Sequence, residues 1–165
     1  MTDVLFSNKS CEWYTPPRIV AAVKEVLGEN ILDPCAPEDT VMRQFPRVFT
    51  RTDDGLAQPW RGAFYCNPPS GRGQPKAFWD KACREIRVER APHGMFMCYN
   101  IEQVRTLGAL VFPICIPYKR LQFSKPDGTP GEVPRHSNAI IYMPGIIDRR
   151  TSFADAFRSI GQVRI

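Results

Sequence analysis

No two of the six cysteines (Cys11, Cys35, Cys66, Cys83, Cys98 and Cys115) are separated by only two residues. This disfavours a zinc knuckle and a CxxC redox centre. Several sit inside apolar stretches and read as small buried hydrophobes of a reducing compartment. Nor does any apolar run approach the length needed to span a bilayer. The opening Met1 to Phe6 lacks a basic region followed by an apolar stretch, so no secretory signal is expected and the expected location is cytoplasmic. Repeats and low-complexity linkers are also missing. No convincing cluster of metal-ligating side chains stands out, and no metal is expected.

What remains is ordinary in bulk. The 165 residues suit one domain, 1–165, with an irregular arm over 1–12. Hydrophobic content is 43% and charged content 24%, typical of a soluble globular chain. A formal charge of +5 permits an anionic partner such as nucleic acid without requiring one. The 16 prolines imply abrupt turns and long structured loops.

The apolar spacing of Ile19, Val20, Val23, Val26 and Leu27 predicts a helix over 18–28. Thr15 serves as its N-cap, Pro16 or Pro17 as the first helical position and Gly28 as its C-cap. Asn30 to Ala36 reads as a short buried strand ending in Asp33, and 37–46 as moderately helical. Strands are expected at 47–50, 63–66 and 94–99. Helices are expected at 76–89, 101–107 and 151–159. In the second helix, Phe78, Trp79, Ala82, Cys83, Ile86 and Val88 face inward. Residues 109–117 read as one or two strands broken by proline, and 118–123 with 137–143 as a closing hairpin. Alternating strands and helices argue for an α/β fold: a trimmed, Rossmann-like, mostly parallel sheet with a terminal antiparallel hairpin.

One turn concentrates the chemistry. After the apolar run Ala63 to Cys66 come Asn67-Pro68-Pro69-Ser70. Prolines cannot continue a ladder, so the strand ends at Asn67 with its side chain on a stiffened turn. Strand carboxyl ends are where ligands bind in open α/β sheets. A side-chain carbonyl beside a fixed backbone carbonyl suits a site that accepts both hydrogens of an amino group. The alternative is a Pro-rich turn with no chemistry. Asp33 likewise reads as a ligand for an amine or hydroxyl or as a helix cap, and Asp53 and Asp54 as ligands or as turn formers.

Four pieces follow one another: Glu12-Trp13-Tyr14-Thr15-Pro16, Leu32-Asp33-Pro34-Cys35-Ala36, Asp53-Asp54-Gly55-Leu56-Ala57-Gln58-Pro59-Trp60 and Cys66-Asn67-Pro68-Pro69. The order resembles the small phage-type DNA adenine-N6 methyltransferases, which use S-adenosyl-L-methionine. Pro134 to Tyr142 resembles that family's closing Pro-x-x-Ser-x-Ala strand. The likeness covers most of 11–145.

The resemblance implies transfer of a methyl group to adenine N6 in DNA, in a bacterial cell, by a phage- or prophage-encoded enzyme, with a homodimer as one option. It assigns Asn67, Pro68, Pro69 and Ser70 to the catalytic turn. Tyr14, Thr15, Pro16, Asp33, Pro34, Asp53, Asp54 and Asn67 would line the cofactor. Arg72, Lys76, Lys119, Arg120, Lys125 and Arg135 would meet DNA phosphates. Two departures stand out. Ser70 replaces the family's usual Tyr or Phe, whose ring stacks on the flipped base at about 1–3 kcal/mol per base. No Gly-x-Gly follows Asp33-Pro34. A non-catalytic derivative, or an amino methyltransferase of cytosine N4 or protein, is the alternative reading.

Overall fold

The computed structural model describes residues 13–38, 43–125 and 127–165. The expected 1–12 arm, with Cys11 and Glu12, lies outside them, as does the centre of the helix expected over 37–46. Residues 43–46, just beyond that centre, form bends rather than helix.

The chain alternates helices and strands as its apolar periodicity requires. In order come α1 (Pro17–Leu27), β1 (Leu32–Asp33), β2 (Arg47–Val48), β3 (Phe64–Cys66), α2 (Gln74–Arg87), β4 (His93–Cys98), α3 (Ile101–Thr106), β5 (Ile114–Pro117), β6 (Ala139–Pro144), α4 (Arg150–Phe157) and β7 (Gly161–Arg164). Among the described residues, the seven strands form one sheet in the order β2-β1-β3-β4-β6-β5-β7. It is parallel across β2-β1-β3-β4 and antiparallel across β4-β6-β5-β7. The result is an α/β mixed sheet compatible with a Rossmann-like fold, with an antiparallel half larger than the single expected hairpin.

Successive strand residues point to opposite faces, and both faces are covered. Tyr65, Met95, Met97, Ile140 and Tyr142 pack against α1 and α4. Phe64, Cys66, Phe96, Cys98, Ile141 and Met143 pack with Phe78, Trp79 and Ala82 of α2 and Val104 of α3. Within the sheet, β3 and β4 approach closely at Gly94, where any Cβ would collide with the ring of its cross-strand partner Phe64.

Several expectations are corrected. Pro16, not Thr15, is the N-cap of α1, because the Thr15 hydroxyl turns inward. Residues 109–111 form a helical turn, and only Ile114–Pro117 beyond Pro113 is strand. Residues 118–123 form no strand. Val88 is 46% exposed. Glu85 takes an inward place instead and is fully buried. It accepts from Arg90 Nε (2.6 Å) and Nη2 (2.8 Å) and from the Trp60 backbone N–H (3.1 Å), and it pairs with Lys81 (2.9 Å). Burial raises its pKa, but these hydrogen bonds outweigh burial and hold it at about 2. The cluster pins α2 to the segments entering β3 and β4.

No helix among the described residues is long and apolar enough to cross a membrane.

Candidate active site

From β1 the chain steps to β2 on one side, then returns to place β3 on the other. This reversal makes the carboxyl ends of β1 and β3 a topological switch point, the preferred ligand position in such sheets. Asp33 closes β1, and Asn67 follows β3 directly.

Asn67 is held on three sides. Its Nδ2 donates to the Trp13 carbonyl at 3.2 Å. The Cys35 thiol donates to its backbone carbonyl at 3.1 Å. Tyr99 Oη donates to the carbonyl of the next residue, Pro68. The amide orientation follows from chemistry, since turning it over would set Oδ1 against the Trp13 carbonyl, two acceptors face to face. Asn67 Oδ1 is buried and is the one side-chain nitrogen or oxygen among the described residues that is buried without a hydrogen-bond partner. An orphaned buried acceptor costs about 1–3 kcal/mol. A fold that keeps one at a strand's carboxyl end holds an acceptor ready for a donor from outside the chain.

The Thr-Pro corner is built beside it. Gln44 grips the Thr15 backbone at both ends: Oε1 accepts the Thr15 N–H at 3.0 Å, and Nε2 donates to its carbonyl at 2.6 Å. Thr15 Oγ1 and Tyr65 Oη lie 3.0 Å apart, both buried. Tyr14 pairs with Ser124 in an antiparallel bridge. Trp13, Tyr14 and Thr15 of the corner therefore touch the turn, the sheet and the 118–138 loop at once.

Asp33 is half-buried, and its Oδ1 accepts the Cys35 N–H at 3.1 Å. Burial raises its pKa to about 7, against the lowering effect of the Cys35 bonds. It is therefore poised to ionise when a cation arrives. Burial also pushes up the Cys35 and Cys66 thiols, which stay reduced with sulfurs 3.7 Å apart. The Tyr65 phenol is raised by burial in the same way. Burial thus keeps these two thiols and the Tyr65 phenol in their protonated, weakly nucleophilic forms.

The structure thus brings Tyr14, Thr15, Pro16, Asp33, Pro34, Asn67, Pro68 and Pro69 to one region. Ser70 is exposed beyond it. Asp53 and Asp54 lie in the turn after β2, at the same end of the sheet. Asp53 Oδ2 accepts from the Thr50 N–H (2.8 Å) and hydroxyl (3.0 Å), a turn-forming use. Asp54 is exposed with φ of 54°, and Gly55 packs against the Pro34 carbonyl so closely that a Cβ would collide. Pro68, expected to offer a bare carbonyl, already accepts from Tyr99; its second lone pair is what remains for a ligand.

Tyr99, Gln44, Cys35 and the Trp13 carbonyl carry site roles that the sequence did not announce. Tyr99 also ties outward: its N–H donates to Gln103 Oε1 at 2.8 Å, and its carbonyl accepts from buried Asn138 Nδ2 at 3.3 Å. Tyr99→Phe is expected to cost about 1 kcal/mol, the net worth of one hydrogen bond. A urea titration reads this as a lower midpoint at unchanged slope.

The expected phosphate contacts are dispersed. Arg72 and Lys76 flank the start of α2, and Lys76 is paired with Asp80. Lys119, Arg120, Lys125 and Arg135 lie on the loop between β5 and β6. No group of three or more His, Cys, Asp or Glu among the described residues could hold a metal ion. Comparison with protein-family models, curated proteins and solved structures finds no match to this chain.

Proposed function

We propose that this protein transfers a methyl group to the N6 amino group of adenine in DNA, using S-adenosyl-L-methionine. The observation that carries the reading is Asn67 Oδ1, buried, oriented and without a partner at the carboxyl end of β3. A free carbonyl there asks for an N–H donor. An aromatic amine supplies one and gains from giving it, because accepting its hydrogen localises the nitrogen lone pair. That gain grows as the nitrogen becomes tetrahedral, which is the condition for lowering the barrier rather than tightening the ground state.

The residues fit the cofactor in charge and in placement. Bound there, it supplies a methyl group on a positively charged sulfur. Asp33, at the carboxyl end of β1, would face the ligand's amine as a carboxylate. The Thr15-Pro16 corner, immobilised by Gln44 and Tyr65, forms a rigid wall on the α1 side. Asp53 or Asp54 takes the ribose or adenine end. Holding both reactants against rigid elements converts encounter into geometry, which is a large part of such rate gains. A duplex adenine must first leave the stack, at a cost of roughly a few kcal/mol. Exposed Ser70 offers no ring to repay it.

The test is direct. Purified protein, methyl-labelled S-adenosyl-L-methionine and unmodified duplex DNA are incubated, and the DNA is digested to nucleosides. Label in N6-methyldeoxyadenosine is the expected result. Label in cytosine or in protein moves the assignment to another amino acceptor. Cofactor binding with no transfer makes the chain a binding derivative of the fold and overturns the proposal.

A further inference from the structure

The β5–β6 connection runs from Tyr118 to Asn138. β5 runs parallel to β4, because each is antiparallel to β6. Its carboxyl end therefore opens at the same end of the sheet as Asn67 and Asp33. This loop is built rather than slack. Leu121 and Phe123 are buried as anchors. Gly131 N–H donates to the Phe123 carbonyl at 2.8 Å, and Gln122 Nε2 donates to the Gly131 carbonyl at 3.0 Å. Arg120 Nη1 donates to the carbonyls of Pro134 (3.2 Å) and Arg135 (3.4 Å), bracing the two limbs together.

The braced loop reaches the site through Trp13 as well as through the Tyr14–Ser124 bridge. The Trp13 ring packs so closely on Gly131 that a Cβ there would collide with it. The Trp13 carbonyl holds the Asn67 amide. On its outer side the loop shows an aromatic next to cations: Tyr118 is 70% exposed, followed by exposed Lys119, with exposed Arg135 on the facing limb. Among the described residues neither cation has a salt-bridge partner, whereas Lys76 is neutralised by Asp80 and Lys125 faces Asp127.

We infer that the 118–137 loop is the surface that grips DNA, with Tyr118 stacking on a base, Lys119 and Arg135 meeting phosphates, and Arg120 acting as the internal brace. The choice of DNA as partner rests on the proposed function; the gripping surface rests on the loop. Exposed aromatics beside cations suit nucleic acid, since every base has a face to stack and every nucleotide a phosphate. The loop's link to Asn67 through Trp13 places the grip next to the chemistry.

Fluorescence anisotropy with a labelled duplex, without cofactor, tests this over a range of salt. Tyr118→Ala is expected to weaken binding about tenfold. The double variant Lys119→Gln/Arg135→Gln is expected to flatten the slope of log affinity against log salt by about two. Arg84→Gln/Arg87→Gln, exposed cations at the far end of α2, should leave the slope unchanged. No binding by the parent protein, loop variants that bind like the parent, or an equal change from the α2 pair would each overturn the inference. Because the assay needs no turnover, loop-dependent binding without methyl transfer would leave the grip standing and remove only the proposed activity.

Discussion

Asn67→Ala is expected to lower methyl transfer by about a hundred- to a thousandfold, the usual loss when one preorganised group facing the developing charge is removed. Stability should change by no more than about 1 kcal/mol. Two effects oppose each other there. Alanine removes the orphaned carbonyl and its burial penalty, but it also strips the Trp13 carbonyl of its donor. A residue important mainly for packing would give the opposite pattern, with a large drop in melting temperature and activity lost only through unfolding. Calorimetry beside single-turnover transfer separates the two. A variant that transfers methyl at the parent rate would dissociate Asn67 from the chemistry. Cofactor affinity is expected to survive, because Asp33 and the Thr15 corner are untouched.

Asp33→Asn should act in the reverse sense, stabilising the free protein while weakening the cofactor. In the folded state Asp33 keeps its proton up to about pH 7, against 3.8 for an ordinary aspartate, chiefly because it is buried. The folded protein binds the proton more tightly than the unfolded chain. The stability this contributes is therefore fully present below pH 3.8 and lost as pH rises through about 7. At about 1.4 kcal/mol per pH unit, the fall from pH 4 to pH 8 amounts to about 2–4 kcal/mol. Asparagine still accepts the Cys35 N–H and carries no charge, so the variant should lose that dependence and exceed the parent at pH 8. Denaturant melts at a series of pH values check this. The ligand side has the opposite slope. A carboxylate is needed to face an ammonium, so parent affinity for the cofactor should weaken as pH falls below about 7, and Asp33→Asn should bind weakly at every pH. Equal affinity of parent and variant would remove Asp33 from the cofactor site.

The two expectations describe one design. Asp33 is costly to the empty fold when ionised, and so is the unpartnered Asn67 carbonyl. Both costs sit at the reversal between β1 and β3, where a bound ligand would relieve them.

Much of the fold was legible in the residues. The 3.6 spacing of Ile19, Val23 and Val26 and the short continuous apolar runs of β3 and β4 are local patterns, and local patterns dictate local structure. The turn at Asn67-Pro68-Pro69 was legible for the same reason, since two prolines after an apolar run leave little choice of backbone. β7 was not. Gly161-Gln162-Val163-Arg164 is a mostly polar edge segment that becomes strand only because the β5 edge waits beside it. Residues 109–111 were misread because an apolar run has the same composition in a buried strand and in a helical turn. Glu85 was missed because only the approach of Arg90, Lys81 and the Trp60 N–H makes a buried carboxylate tolerable.

The residues alone determined that a polar amide ends a strand on a stiff turn, that an acid ends another, and that a Thr-Pro corner opens a helix. Each follows from the preferences of neighbours a few positions apart. Tertiary structure alone decided that these three meet. It decided too that Trp13 anchors the Asn67 amide, that Tyr99 engages Pro68, and that Asp33 holds its proton near neutrality. The physical reason is that backbone carbonyls and desolvation carry those effects. Every residue has the first, and the second belongs to an environment rather than to a side chain.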